Sequence, residues 1–536
     1  LLKLGRPETA RLLVNLLNRP DKLEVLSNQY LTSGRFSLII AGIFFAAVLL
    51  GLLAALSYNY RSRTARSGAW FTSESGNLVR AFLQQFTELN KRQTAMLLTF
   101  MAAFLGVQLY LLNWFPAHTD EAFSYVFFVH KGLLTVVSYY PLPNNHVFYN
   151  LLCLPFEMAG LPPLLVMRLP AFFMAWATGL LLFGLVKKQC DFKAGFLAMA
   201  LFSSGVYSLY YAVHGRGYML LTFFALLAGW AVLQFCRNGR KIYLPVMVFA
   251  SALGFYTVPV YAYAFASVGL FGAAVLLFNR KFIAFRQFAL AGFGAVFLTL
   301  FLYSPILLTS GFGAFYGNDV QQVAALDFSR NFPVYLQTIP DNYWGLGIFS
   351  LLLPAALLLL FFRKGSAGNK DGKLNAIFLS WTVLSVLLWI VVPQLMPPGR
   401  TWLYWSLFVC WGLALLLSPL FGSNKISENG NYLLLLFFGL GWLGFQTYSL
   451  KQKVKSGEIQ VFWPLPAIIE EVLNSPAERV FAGHENYDLL LQYEALKAKR
   501  PLQVDLYEFR PPYDYVLVPV RKPFPENADS AAYLKV

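Results

Sequence analysis

The sequence predicts an all-α polytopic membrane protein of about twelve transmembrane helices with a small extracytoplasmic α/β C-terminal domain. Three observations carry this. Of 536 residues, 57% are apolar and only 13% are charged, about half the ~25% usual in soluble domains. Mean hydropathy is +0.55, and apolar runs near the ~20 residues that a helix needs to cross ~30 Å of hydrocarbon recur along most of the chain. The charge density then changes abruptly near residue 450: residues 450–536 hold 11 Lys/Arg and 12 Asp/Glu, while the preceding 449 residues hold 45 charges in all.

Taken in order, residues 1–93 form an N-terminal extension with one extra transmembrane helix at 37–57. The first residue is Leu1, so a preceding segment, a signal included, is left open. Residues 94–449 form the main membrane domain, with helices expected at 94–114, 167–186, 194–213, 217–236, 242–258, 260–278, 286–308, 345–362, 374–393, 401–420 and 431–449. Val147–Gly160 is apolar but short and interrupted by Pro155, which suits a helix lying at the membrane surface. Residues 450–536 form a soluble domain with strand-like runs at Arg479–Gly483, Leu502–Phe509 and Tyr515–Val520 and a helix at Tyr487–Lys499, a β-α-β-β order.

The net charge of +16 would suggest nucleic acid in a soluble protein; here basic loops facing the cytoplasm and anionic lipid account for it, and no nucleic-acid partner is expected. Between residues 115 and 449 one set of loops carries fourteen Lys/Arg and the other only Lys131, Arg168, Arg216, Arg330 and Arg400. The positive-inside rule makes the first set cytoplasmic and the soluble tail extracytoplasmic. The four cysteines are scattered, with no CxxC and no close pairs, so neither a disulfide framework nor a zinc ribbon is indicated.

The sparse charges of the outer face are the candidates for chemistry, because charge at the bilayer needs a partner or a task. Asp120 and Glu121 follow the helix that ends near Trp114; a carboxylate there can serve as a general base at an acceptor hydroxyl, and Asp120 also stands where a helix N-cap would. Pro143-Asn144-Asn145-His146 offers amide and imidazole groups to a hydroxyl-rich ligand, or simply closes a turn. Arg216, within His214-Gly215-Arg216-Gly217-Tyr218, and Arg400, after Pro398-Gly399, suit a phosphate held at the membrane surface or interfacial anchoring to lipid headgroups. The loop from about 310 to 344, with Asp319, Asp327, Arg330, Asp341 and its aromatics, is long enough for a lid or a substrate-binding loop. All five histidines fall on this face at spacings that define no metal site; a divalent cation stays open and no other cofactor is indicated.

Together these motifs, with Arg168-Leu169-Pro170 opening a span, resemble the GT-C membrane glycosyltransferases, nearest to the bacterial protein-mannosyltransferase and aminoarabinose-transferase-like branch. The likeness covers roughly residues 94–449. It implies transfer of a sugar from a polyprenyl-phosphate-linked donor to a protein, lipid or glycan hydroxyl on the outer, periplasmic face of a bacterial inner membrane. It implies Asp120 as base or acceptor-orienting carboxylate and Glu121 as its polar support. Arg216, Arg400 and Tyr218 would lie at the donor phosphate, and Asn145, His146 and His214 near the substrate. Asn-Asn-His-Val departs from the His-Pro-Pro string frequent in the family, and the helix at 37–57 lies outside its usual plan. The chemistry expected is a single inverting displacement with the lipid phosphate leaving. A transporter or lipid flippase would show internal repeats and midplane charges, which are not seen; a non-catalytic GT-C-like assembly subunit would have no need of Asp120, Arg216 and Arg400.

Overall fold

The computed structural model describes residues 7, 8, 10–12, 61–140, 144–311, 328–362, 370–422, 427–459, 467–506 and 512–517. Among these, eight helices are long and apolar enough to cross a membrane: Lys91–Trp114, Pro163–Gln189, Tyr218–Asn238, Pro259–Phe278, Phe282–Ser310, Gly372–Val391, Gly399–Gly422 and Glu428–Lys455. The chain is an integral membrane protein. Tyr218–Asn238 is the most enclosed of these spans; it packs against Pro163–Gln189, Tyr243–Thr257 and Leu403–Leu417 and forms the centre of the bundle.

Three of the expected spans are modified. The run 194–213 is two helices, Phe192–Ser204 and Val206–Ala212, bent by 70°, because Gly205 adopts an extended conformation after Ser203-Ser204. Tyr243–Thr257 has 15 residues, a rise of ~22 Å and so short of a full crossing. The run 345–362 starts late, since Gly345 and Gly347 take φ of +60° and helix begins only with a 3-10 turn at Gly347–Leu351. The helix expected at 37–57 lies outside the described residues. Arg61–Thr87 forms a 27-residue helix whose polar composition hides it from a hydropathy reading.

The two ends of the bundle differ. At one, Arg237 donates to Asn375 and Asn375 to Gln189, Arg240 pairs with Glu74 at 2.5 Å and Lys187 reaches Gln85: this is the end rich in basic loops. At the other lie the short helix Thr119–Ser124, the helix Val147–Met158 and the C-terminal domain. Of the loop expected at about 310–344, residues 328–344 form a helix, Phe328–Trp344; residues 312–327, with Asp319 and Asp327, lie outside the described residues. Hydrogen bonds from Tyr335 to Pro397 O and from Tyr343 to Gly399 O hold this helix against the turn that carries Arg400.

The C-terminal domain has the expected order with shorter strands: β1 (Arg479–Ala482), the helix Glu485–Lys497, β2 (Gln503–Asp505) and β3 (Tyr515–Leu517). The sheet order is β2-β1-β3 with both pairings parallel, Val480 opposite Val504 and Tyr515. The helix is thus the crossover that parallel pairing requires. A further helix, Ala467–Asn474, covers the sheet and shares its small core of Ile469, Val472, Val480 and Leu491.

Candidate active site

The site is assembled on the six-residue helix Thr119–Ser124. A helix this short has little stability of its own, so its neighbours set its position. His118 caps it: the imidazole Nδ1 accepts from Asp120 N–H at 3.1 Å, and Glu121 Oε2 accepts from His118 N–H at 3.0 Å, a reciprocal capping box. The cap is therefore His118, and Asp120 sits in the first turn with its side chain available.

Glu121 is wholly engaged. Its carboxylate accepts from Arg168 Nε at 2.9 Å and Nη2 at 2.8 Å, from Gly215 N–H at 2.6 Å, and from His118. Arg168, completely buried, spends its remaining donors on the carbonyls of Leu112, Phe115 and Pro116. A buried charge is tolerated when it is paired and hydrogen-bonded, and this bidentate pair rivets the acidic helix to the end of Lys91–Trp114. Burial pushes the Glu121 carboxyl up, but Arg168, then His214 and the hydrogen bonds overcome it and bring it down to about 2.

The His-Gly-Arg-Gly-Tyr string has a geometric reason. Gly215 N–H donates to Glu121 and Gly217 N–H donates to His146 Nδ1 at 2.9 Å, which draws both backbone segments close. A Cβ on Gly215 would stand 2.8 Å from Met167 Cβ and 3.0 Å from Glu121 Oε1; on Gly217 it would stand 2.6 Å from Thr257 Cγ2. Arg216, between them, is buried. Its Nη1 donates to Ser124 Oγ and Asn144 O, and its Nη2 to Asn144 Oδ1. Nε, buried and without a hydrogen-bond partner among the described residues, lies 3.8 Å from Asp120 Oδ2. The fork expected to grip a phosphate is thus committed inside the protein, and the free edge of Arg216 faces Asp120.

Arg400 is equipped differently. It is exposed, and among the described residues only its Nε is bonded, to Tyr218 Oη at 2.8 Å, with the guanidinium over the Tyr218 ring. The Tyr218 ring meets His146 edge-on at 5.3 Å, and His146 Nε2 lies 3.0 Å from Arg216 Nη2. The two arginines therefore flank one His146–Tyr218 pair. Because Gly217 N–H donates to Nδ1, the neutral His146 ring carries its proton on Nε2.

Asp120 is the half-exposed carboxylate at the centre. Burial pushes it up, but Arg216 and then His118, His214 and Arg400 outweigh this and hold it below the usual carboxylate range. Burial keeps His146 well below its ordinary value, reinforced by Arg216 and Arg400, and drives His214 down to about 3 against the pull of Glu121. His214 stacks on Tyr210 and meets His118 edge-on at 4.8 Å. Asn145 is turned away: its amide donates to Val136 O and Tyr139 O and accepts from Asn150, so it shapes the loop that carries His146. The capping role of His118, the holding of Arg216 by Ser124 and Asn144 and the clamp role of Arg168 were not read from sequence. Among the described residues no group of three or more His, Cys, Asp or Glu is placed to hold a metal ion.

No family model matches the chain, and no curated protein matches it in sequence. Its fold has solved counterparts. Over 80% of this chain and 86% of the other it superposes on ArnT from Cupriavidus metallidurans in the apo state, with a TM-score of 0.51 at 11% identity. The same protein bound to undecaprenyl phosphate gives a TM-score of 0.49 at 12% identity over 77% of this chain and 86% of that one. What the chain shares with ArnT is the fold, that of a GT-C-type helical membrane protein.

Proposed function

We propose that the protein is a glycosyltransferase that moves a sugar from a polyprenyl-phosphate-linked donor to a hydroxyl acceptor by a single inverting displacement. The observation that carries this reading is Asp120: a half-exposed carboxylate kept ionised beside two guanidinium groups, at one end of a GT-C-type bundle. In the mechanism, Asp120 accepts the proton of the attacking hydroxyl. Arg400, with its free fork and its seat on Tyr218, takes the charge that builds on the departing lipid phosphate. His146 Nε2–H contributes at the same place. Arg216 orients Asp120 and lends charge to the phosphate across the His146–Tyr218 pair. A bacterial inner membrane, with this end of the bundle and the C-terminal domain on the periplasmic side, follows from the distribution of loop charge and from the family resemblance.

The test is mass spectrometry of the glycolipids and glycoproteins of cells that lack the gene. One sugar is expected to disappear from one class of molecule and to return with the wild-type gene but not with Asp120→Asn. An unchanged glycan profile, or full rescue by Asp120→Asn, contradicts the reading.

A further inference from the structure

The geometry points to the C-terminal domain as a working part of the reaction centre, with Tyr493 as a positioning residue that holds the helix bearing Asp120. This rests on the reading of Asp120 as the base.

The helix Glu485–Lys497 serves two cores at once. Leu490 and Leu491 belong to the small core over the sheet. Leu489, Tyr493 and Leu496 belong to the core of the membrane bundle. Spacings of four and three residues place these three on one stripe of the helix, and that stripe packs on Thr119–Ser124 and on the turn that follows it. Tyr493 is 1% exposed, and its ring meets Tyr125 edge-on, with centroids 6.0 Å apart at 83°, a favoured aromatic geometry.

Tyr125 is the residue on which the acidic helix turns. It opens a π-helical turn, Tyr125–Val129, closed by His130 N–H to Tyr125 O at 2.9 Å. Its hydroxyl donates to Glu157 at 3.1 Å, and Glu157 also takes His130 at 3.0 Å. The six-residue helix is thus fixed on one side by Glu121–Arg168 and on the other by Tyr125 against Tyr493. The buried pair also lies close enough to act on the Tyr493 hydroxyl, which burial and then the Glu121 charge push up. Loss of the Tyr493 ring would open a void against Tyr125 and admit water towards Glu121 and Arg168.

The experiment uses the full chain in lipid nanodiscs and reads amide exchange in peptides covering residues 117–130, with residues 230–245 at the opposite end as reference. Tyr493→Leu keeps apolar bulk and loses the edge-on ring; Tyr493→Phe keeps the ring. The leucine variant is expected to exchange about tenfold faster in 117–130 with no change at 230–245, and the phenylalanine variant to match wild type. Sugar transfer by the leucine variant is expected to show kcat lower by about tenfold with KM for the lipid donor within about twofold. Unchanged exchange at 117–130 overturns the proposal, as does an equal rise at both ends, which would make Tyr493 a general structural residue. The exchange readout needs no sugar transfer, so failure of the glycosyltransferase reading and failure of the positioning role are told apart.

Discussion

Asp120 and Glu121 are adjacent in sequence and opposite in circumstance. Glu121 is sealed against Arg168 with two backbone amides on its oxygens, while Asp120 faces the open side of the site, its nearest cation 3.8 Å away. Breaking a buried pair by removing one partner typically costs ~3–5 kcal/mol. Arg168→Ala should therefore lower the thermal midpoint steeply, as read by fluorescence in detergent, whereas Asp120→Asn, which loses only the partly exposed partner of Arg216, should lower it clearly less; equal effects would contradict the division of labour. The same groups set the pH response. Glu121 has its proton affinity lowered in the fold to about 2 from an ordinary 4.5, so its stabilisation is complete above pH 4.5 and is lost as pH falls towards 2. His214, lowered to about 3 from 6.5, makes the unfolded chain the stronger proton binder between those values, so stability rises with pH across that window. The midpoint is expected to be flat above pH 7 and to fall below pH 6.5, with His214→Gln making the upper part of the fall shallower while His118 and His146, also lowered by burial, keep part of it. Transfer itself should show no acid limb near pH 6.5, because Asp120 stays ionised there. The acidic pair and the arginines were legible as sparse charges on an apolar chain. That Arg216 spends its fork inside was not, since Ser124, Asn144 and His146 lie 92, 72 and 70 positions away. Arg168 left a usable signal: a lone arginine in an apolar run demands a buried partner, and Glu121 was the acid at hand.

At the scale of elements, the Gly-Arg-Gly turn ties the site to the bundle. Both glycines donate backbone N–H groups to site side chains at distances that leave no room for a Cβ. Gly215→Ala and Gly217→Ala should each cost ~1–3 kcal/mol of stability and reduce transfer at least tenfold, while Gly76→Ala, with nothing within 4 Å of the added carbon, should do neither. Transfer assays on the purified variants decide this, and full activity of Gly215→Ala would remove the turn from the mechanism. Apolar runs revealed the spans because burial in lipid demands them over ~20 residues. They could not reveal the bend at Gly205 or the late start after Gly345 and Gly347, where single residues override a continuous hydropathy pattern. Arg61–Thr87 escaped for the converse reason: it is helical yet polar.

For the molecule as a whole, the bundle separates two chemistries. One end gathers Arg237, Arg240 and Lys187 with amide and acidic partners; the other gathers the carboxylates, the imidazoles and Arg400, capped by a domain whose helix is shared with the bundle core. The break in charge density near residue 450 announced the domain, but nothing in composition showed that Leu489, Tyr493 and Leu496 face the membrane helices. The central claim is that Asp120 drives displacement of a lipid phosphate. It is tested most directly with the purified protein and membrane-extracted polyprenyl-phosphate sugars, by following the anomeric configuration of the product by NMR and free polyprenyl phosphate by mass spectrometry. One polyprenyl phosphate released per sugar transferred, inversion at the anomeric carbon and a fall of ~10²-fold or more in Asp120→Asn are the expected result; retained configuration, or undiminished release by Asp120→Asn, would contradict it.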